Sequence, residues 1–148
     1  MTRSLPIALF AWLGLAVLSG VACGSRGPER ARCAECGMYV DLAPRWQAGL
    51  TTAAGRVMLF DTPICMLRFL RTPEGGAGAH GAWVTDYYTQ RRIPALDARF
   101  VSGTDVVGPM GRELVPVADD EAAARMIRDH HGRAVHRLTA LPASALVR

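Results

Sequence analysis

The chain has 148 residues, half of them apolar, and 17 basic against 13 acidic residues give a formal net charge of +4. This length supports one compact domain, or two very small units that share a core, and excludes a large multidomain enzyme. Every basic residue is an arginine, which excludes lysine Schiff-base chemistry and a P-loop. The arginines are scattered, and only Arg91 and Arg92 are adjacent, so the sequence predicts no nucleic-acid partner.

The N-terminal residues are typical of an export signal. Arg3 precedes an apolar run over residues 5–18, which is shorter than the ~20 apolar residues of a membrane span. Small residues then lead into Cys23, as in bacterial lipoproteins, where such a cysteine becomes the acylated first residue of the mature chain. We therefore expect a signal peptide over residues 1–22 and a lipidated tether over residues 23–32. Cleavage nearby without lipid, or an uncleaved anchor, are the alternatives.

The first predicted unit covers residues 33–97. Its patterns favour strands at 46–52 and 56–60, a helix, and a strand at 83–89. Asp61 or Thr62 is the expected N-cap of the helix, with Pro63 in its first turn and the glycine-rich stretch 75–81 at its end. The order is ββαβ, with the helix deeply buried because it is apolar almost all round.

The second predicted unit covers residues 98–148 and repeats this order. We expect strands at 98–102 and 113–117, a helix capped by Asp119 or Asp120 that runs to His131 and stops at Gly132, and a strand at 134–139. Gly55-Arg56 and Gly111-Arg112 each open a strand that leads to an acidic helix cap, which indicates a weak internal duplication or a coincidence. The predicted fold class is α+β, two small ββαβ units in tandem.

The sharpest local motif is the segment CAECGM at residues 33–38. Two cysteines three apart, followed by a glycine, form a turn that directs both sulfurs at one centre, and Met38 adds a softer sulfur. A structural zinc site lacks its second pair of ligands, and a thioredoxin-like pair would open a helix rather than a strand. A Cys33–Cys36 disulfide remains the plain alternative for an exported chain.

Three further sulfurs stand in notable places. Cys65 and Met66 lie in the first turn of the first helix, although Cys65 alone is typical of a small buried apolar residue. Met110 stands between Pro109 and Gly111, a pattern that predicts a turn. Its side chain is interpreted either as a metal ligand or as a residue that packs within the loop. His130 and His131 are interpreted as structural or solvated because they suit the C-terminus of a helix electrostatically. His80 and His136 are interpreted as structural because neither has a partner at metal-ligand spacing.

No motif for hydrolysis, phosphate binding or dinucleotide binding occurs, and no carboxylate pair stands outside the second helix cap. The chemistry available is that of sulfur. Because cysteine and methionine select Cu(I), the sequence predicts a Cu(I) carrier rather than an enzyme.

An ordered set of motifs carries a family resemblance. After a lipoprotein-like signal, the chain is similar to the NosL family, the accessory lipoproteins of nitrous-oxide reductase, from Cys33 to about Leu138. The motifs are CAECGM at 33–38, LFDTPICM at 59–66, VTDY at 84–87, ARFVSG at 98–103 and PMG at 109–111.

The resemblance implies two ββαβ units, an arrangement shared with an organomercurial lyase. It implies a periplasm-facing chaperone, lipid-anchored to a membrane of the cell envelope, that delivers Cu(I) for the copper centres of nitrous-oxide reductase through an ABC-type membrane maturation complex. The implied ligands are Cys33, Cys36, Met38 and Met110. The resemblance implies Cys65 and Met66 less strongly as ligands. The alternatives are a lyase-like enzyme that cleaves carbon–metal bonds and a disulfide-stapled module of a membrane complex.

Overall fold

The computed structural model describes residues 29–146, so the predicted signal peptide, Cys23 and most of the tether lie outside the described residues. The described chain is α+β, as predicted, with three short helices and three small sheets. Within residues 29–146 no helix is long and apolar enough to cross a membrane.

The first sheet has four antiparallel strands in the order β2-β1-β3-β4. The central strand β1 carries the buried Leu50, which lies opposite Met58 of β2. The strands are β1 Ala48–Thr51, β2 Val57–Phe60, β3 His80–Thr85 and β4 Arg92–Pro94.

Helix α1, Pro63–Phe69, begins at the predicted proline. Thr62 is its N-cap, because the Thr62 hydroxyl accepts a hydrogen bond from the Cys65 N–H at 3.3 Å. All but one of its residues are buried, which confirms the deep position predicted from its apolar surface. Residues 61–70 therefore form a fixed support under the first sheet.

The prediction that glycines end this helix is wrong. Helix α1 ends at Phe69, and the first glycines of residues 75–81 lie in a second short helix, α2, Pro73–Gly76. The physical reason is the Thr72-Pro73 pair. Proline disfavours helical backbone at the residue before it, and Thr72 instead caps α2 by accepting from the Gly75 N–H at 3.1 Å.

The second unit has the sheet order β8-β5-β9, again antiparallel. A small hairpin of β6 and β7 occupies the predicted loop 103–112 and carries Met110 in its turn. The elements are β5 Arg99–Ser102, β6 Val107–Gly108, β7 Gly111–Arg112, β8 Val115–Val117, α3 Asp120–His130 and β9 Ala134–His136.

The two units share one topology. In each, the first strand is central and pairs antiparallel with the strand before the helix and with the strand after it. Thus β1, β2, α1 and β3 correspond to β5, β8, α3 and β9. This agrees with the predicted tandem of ββαβ units.

Several predicted boundaries shift. The strand expected at 83–89 ends at Thr85 because residues 86–91 close a turn, and the strand expected at 134–139 ends at His136 because residues 138–140 form a 3₁₀ turn. Asp119, not Asp120, caps α3. His131, with φ +57°, takes the left-handed cap position that was predicted for Gly132.

The main apolar core draws on both units. Phe60 and Leu67 of the first unit cluster with Phe100 and Leu114 of the second. The C-terminal segment closes this core, since the Arg68 guanidinium donates to the carbonyl of the buried Leu146 at 2.6 and 3.0 Å. The first unit's helix is therefore covered by the second unit's tail.

Candidate metal centre

The segment 33–38 is a closed loop docked on the end of β2. The Cys33 N–H donates to the Met38 carbonyl at 2.7 Å, and the Gly37 N–H donates to the Cys33 carbonyl at 2.9 Å. Gly37 has φ +77°, a left-handed conformation that glycine adopts without strain. The Ala34 N–H donates to the Leu59 carbonyl at 3.0 Å and fixes the loop beside the start of α1.

This docking brings four ligand groups together, which we call the thiol centre: Cys33, Cys36, Asp61 and Cys65. Their sulfur and carboxylate oxygen atoms all lie within 4.8 Å of one another. Two thiolates on one metal ion, each about 2.3 Å from it, stand at most about 4.6 Å apart, so the spacing is close to that needed to share a single ion. No histidine belongs to this group, and the described residues contain no second group of three such ligands.

Helix α1 presents two of the four groups. Cys65 occupies the first turn, where the Thr62 cap fixes its backbone, and Asp61 stands just before the cap. The Cys36 thiol donates a hydrogen bond to Asp61 Oδ1 at 3.4 Å. Asp61 Oδ2 is buried and makes no hydrogen bond to the described residues, so it is free to accept from a ligand or to bind a metal ion.

Exposure divides the thiol centre. Cys33, Asp61 and Cys65 are 3%, 2% and 0% exposed, whereas Cys36 lies at the surface. The three cysteines among residues 29–146 form no disulfide, so the structure does not contain the Cys33–Cys36 disulfide considered as an alternative. The centre is a buried pair of sulfurs and a buried carboxylate, closed on the outer side by an accessible thiol.

The three thiols differ in acidity. A hydrogen bond from the Cys65 thiol lowers the pKa of Cys33 to about 6, against an ordinary 9.0. The same bond, together with burial, raises the pKa of Cys65. Although Cys36 is exposed as a residue, desolvation of its sulfur raises its pKa to about 11. At neutral pH the centre therefore holds one thiolate, on Cys33, beside two protonated thiols.

The predicted methionine ligands occupy three different environments. Met38, at the end of the loop, is 39% exposed, and Met66 is fully buried in the core behind the site. Met110 is half-buried in the turn between β6 and β7. Whether Met38 or Met110 contacts a metal ion remains a prediction.

Three of the four histidines make contacts outside the thiol centre, and His131 is exposed. His130 Nδ1 lies 3.1 Å from Asp105 Oδ1, and His136 Nε2 lies 3.0 Å from Ser102 Oγ. His80 contacts the Gly78 carbonyl. These contacts agree with the structural role expected for them.

Sequence reasoning missed Asp61 as a site residue and placed Cys65 in a lesser rank. In the sequence, Asp61 fits the pattern of a helix cap, and a single cysteine in an apolar helix is usually a core residue. The available signal was their placement on either side of the Thr62-Pro63 helix start, which puts both side chains at one helix end. Their distance from residues 33–38 depends on the Ala34–Leu59 hydrogen bond, which no local pattern predicts.

The fold and the site define a small α+β protein with a thiol-rich centre suited to a soft metal ion. The model of the NosL family matches residues 28–146, most of the chain, and the protein belongs to that family. No curated protein matches the chain by sequence.

One solved structure gives an independent view of the fold. It is the copper chaperone NosL from Shewanella denitrificans, which superposes with a TM-score of 0.68 at 21% sequence identity. The alignment covers 80% of this chain and 99% of that one. At this identity the likeness establishes the shared fold.

Proposed function

We propose that this protein is a copper chaperone that binds one Cu(I) ion at the thiol centre. The observation that carries the proposal is the convergence of three cysteine sulfurs, none of them in a disulfide, within 4.8 Å. Membership of the NosL family supports it, as does the fold shared with a protein described as a copper chaperone.

The donor set suits Cu(I) better than a hard ion. Cu(I) prefers soft sulfur ligands, and the Cys33 thiolate offers one without first losing a proton. Binding to Cys36 or Cys65 displaces their thiol protons, so uptake of the ion releases protons to solvent. A thioether from Met110 or Met38 would complete the shell without adding charge.

The exposure of the thiols suggests how the ion enters and leaves. Of the three cysteines of the thiol centre, Cys33 and Cys65 are buried and Cys36 is exposed to solvent. An acceptor with sulfur ligands can replace Cys36 first, while the inner thiols still hold the ion. Stepwise exchange of this kind never releases free copper.

The cellular setting is part of the same proposal. We place the protein in the cell envelope, lipid-anchored through Cys23 and facing the periplasm, where it delivers copper for the centres of nitrous-oxide reductase through an ABC-type membrane complex. The lipoprotein-like signal and the NosL motifs support this setting. Cys23→Ser should release the protein from the membrane fraction with its copper affinity intact, and retention of that variant in the membrane would contradict acylation.

Anaerobic competition with a chromophoric Cu(I) chelator tests the binding itself. We expect one equivalent of Cu(I) per reduced protein, with sulfur neighbours in the copper-edge absorption spectrum. Cys23→Ser serves as the matched control, since it removes a cysteine outside the centre. A stoichiometry near zero, or a copper shell without sulfur, would overturn the proposal.

A second candidate function is favoured by Asp61. An organomercurial-lyase-like reaction needs paired thiols with an acid beside them, and Asp61 supplies that acid 3.4 Å from Cys36. In this reaction two thiolates bind the mercury of R–Hg⁺ and the carbon–mercury bond breaks. As the Cys36 sulfur binds mercury, its thiol proton passes to Asp61, and the electron pair of the breaking bond then takes that proton to form R–H, while Hg(II) stays on the two thiolates.

Turnover separates the two functions. Phenylmercury offered to the reduced protein would yield benzene if Asp61 protonates the leaving carbon, and Asp61→Asn would abolish the product while leaving mercury bound. Copper binding without benzene formation favours the chaperone. Catalytic benzene release that depends on Asp61 favours the lyase.

A further inference from the structure

We propose that the second unit, together with residues 86–91 that precede its first strand, holds a binding site for a hard cation such as Ca²⁺, at the position that corresponds to the thiol centre of the first unit. The site is formed by residues 86–89, the end of β8 and the first turns of α3. It uses oxygen in place of sulfur and is independent of the copper proposal.

Residues 86–91 repeat the backbone of loop 33–38. The Asp86 N–H donates to the Arg91 carbonyl at 2.8 Å, and the Gln90 N–H donates to the Asp86 carbonyl at 2.9 Å. The corresponding bonds in loop 33–38 have the same chain separations and measure 2.7 and 2.9 Å. Gln90 has φ +58°, unusual for a residue with a side chain, and it stands where loop 33–38 has its left-handed glycine. Asp86 therefore corresponds to Cys33 and Thr89 to Cys36.

The docking of the two loops is also the same. The Tyr87 N–H donates to the Pro116 carbonyl at 2.9 Å, three residues before the helix cap Asp119. In the first unit the bond from Ala34 likewise ends three residues before the cap, at Leu59. Both caps then accept from the N–H three residues on.

This correspondence assigns the remaining two positions. Counted from the caps, Ala118 stands where the first unit has Asp61, and Ala122 stands where it has Cys65. Two ligands have become methyl groups, and a cavity of about 180 Å³ lies there, lined in part by both alanines. The second unit therefore repeats the backbone arrangement of the thiol centre, and a cavity lies where the first unit has the side chains of Asp61 and Cys65.

The groups that replace the cysteines are hard donors. Asp86 is 1% exposed, and its Oδ2 accepts from the Thr89 N–H at 2.7 Å and from the Thr89 hydroxyl at 2.6 Å. Its Oδ1 is buried and makes no hydrogen bond to the described residues. A buried carboxylate oxygen without a partner is costly, so a cation at this position would stabilise it.

The charge of the cavity lining is negative. Asp86, Asp119 and Glu121 contribute carboxylates, against one guanidinium from Arg125, which packs on the Tyr88 ring at 4.8 Å. Oxygen ligands of this kind bind Ca²⁺ and not Cu(I). The three carboxylates do not converge as closely as the thiol centre does, so water would complete the shell. We therefore expect weak binding, with Kd of about 10⁻⁴ to 10⁻³ M as in extracellular Ca²⁺ modules.

Terbium luminescence tests the site in the full reduced chain. Tb³⁺ replaces Ca²⁺ at oxygen sites, and energy transfer from the adjacent Tyr87 and Tyr88 would make bound Tb³⁺ emit. We expect saturable emission that added Ca²⁺ displaces. Asp86→Asn is nearly isosteric and keeps an oxygen for the Thr89 bonds, so the loop should survive, and Tb³⁺ and Ca²⁺ affinity should fall about tenfold or more. Glu121→Gln should weaken binding to a smaller extent.

The matched control is Asp61→Asn, which removes the carboxylate of the corresponding position in the first unit. It should leave Tb³⁺ emission unchanged, and Asp86→Asn should leave the Cu(I) affinity unchanged. The inference fails if neither ion binds at millimolar concentration, or if Asp61→Asn rather than Asp86→Asn removes the signal. Because the copper and terbium measurements are separate, failure of one leaves the other intact.

Discussion

Loop 33–38 and residues 86–91 have the same hydrogen-bonded backbone, yet one carries thiols and the other carries a carboxylate and a hydroxyl. Each is docked three residues before a helix cap, so the frame that converges side chains is a property of the ββαβ unit. The chemistry is added by the side chains placed on this frame: four ligand groups in the first case, and a carboxylate and a hydroxyl beside two alanines in the second. The comparison teaches that the same backbone frame can carry side chains suited to different metal ions.

The helices of the two units differ in burial. Helix α1 is covered by the sheet on one side and by the C-terminal segment on the other, and almost all of it is buried. Helix α3 buries only Ala123 and Met126, and its apolar Ile127 is 40% exposed. The thiol centre therefore stands on the more rigid of the two supports.

The largest expected effect separates Cys65 from its counterpart Ala122. Cys65→Ser should weaken Cu(I) binding by more than about 100-fold, because a buried sulfur ligand is lost. This loss is larger than the roughly 10- to 100-fold loss expected when a residue that only hydrogen-bonds to a metal ligand is replaced. Ala122→Ser, in the corresponding turn of α3, should leave the affinity unchanged. Anaerobic chelator competition measures both. An affinity of Cys65→Ser within threefold of the parent would remove this thiol from the site.

Stability should show the same contrast between the helices. Leu67→Ala in α1 deletes a side chain that is 2% exposed and should cost about 2 to 5 kcal/mol. Ala124→Ser, at the corresponding exposed position of α3, should change stability by no more than about 0.5 kcal/mol. Urea unfolding of the two variants makes the comparison. A loss below about 1 kcal/mol for Leu67→Ala would mean that α1 is peripheral to the core.

Much of the fold could be predicted because its signals are local. The Thr62-Pro63 start of α1 and the Asp119 cap of α3 are capping patterns that act within one turn. The glycine-rich stretch misled the prediction because Pro73, which is also local, opened a new helix there. His131 adopts the left-handed conformation at the end of α3, although the preference of glycine for that conformation predicts it for the next residue, Gly132.

The candidate site could be predicted only in part. The CxxC spacing identified Cys33 and Cys36 because both belong to one turn. Asp61 and Cys65 join them through long-range docking on β2, and nothing in a helix start distinguishes a cap residue from a ligand. The equivalence of residues 86–91 with loop 33–38 could not be predicted from the sequence either, because the two segments share backbone hydrogen bonds and no side chains.

The acidity of Cys33 gives a pH-dependent test. Its pKa falls from 9.0 to about 6 on folding, because the Cys65 thiol donates to the thiolate. The stabilisation from this bond is therefore complete above pH 9 and is lost as the pH falls through about 6. Ultraviolet thiolate absorbance of the metal-free protein should show a step near pH 6 that Cys33→Ser abolishes and Cys65→Ala moves to higher pH. A first step near pH 9 in the parent protein would contradict this assignment.

Met110 tests whether the second unit contributes to the site of the first. Met110→Ala should weaken Cu(I) binding by about tenfold, roughly 1.4 kcal/mol, with the fold intact, because a neutral thioether binds less strongly than a thiolate. Val107→Ala, an exposed change in the same hairpin, is the control. Unchanged affinity in Met110→Ala would confine the copper site to the first unit and leave Met38 as the thioether candidate.

The smallest effects concern the two helix caps, which occupy corresponding positions with different exposure. Thr62 is fully buried and accepts from the Cys65 N–H at 3.3 Å, whereas the exposed Asp119 accepts from the Ala122 N–H at 2.8 Å. Loss of either cap should cost about 0.5 to 2 kcal/mol. The shorter bond and the negative charge favour Asp119 as the stronger cap. Burial outweighs them, however, because water can replace the Asp119 carboxylate, while Thr62→Ala leaves a buried N–H without a partner. Urea unfolding should therefore rank Thr62→Ala as the more destabilising variant, with Thr62→Ser close to the parent, and the reverse order would mean that the charge of Asp119 matters more than the burial of Thr62.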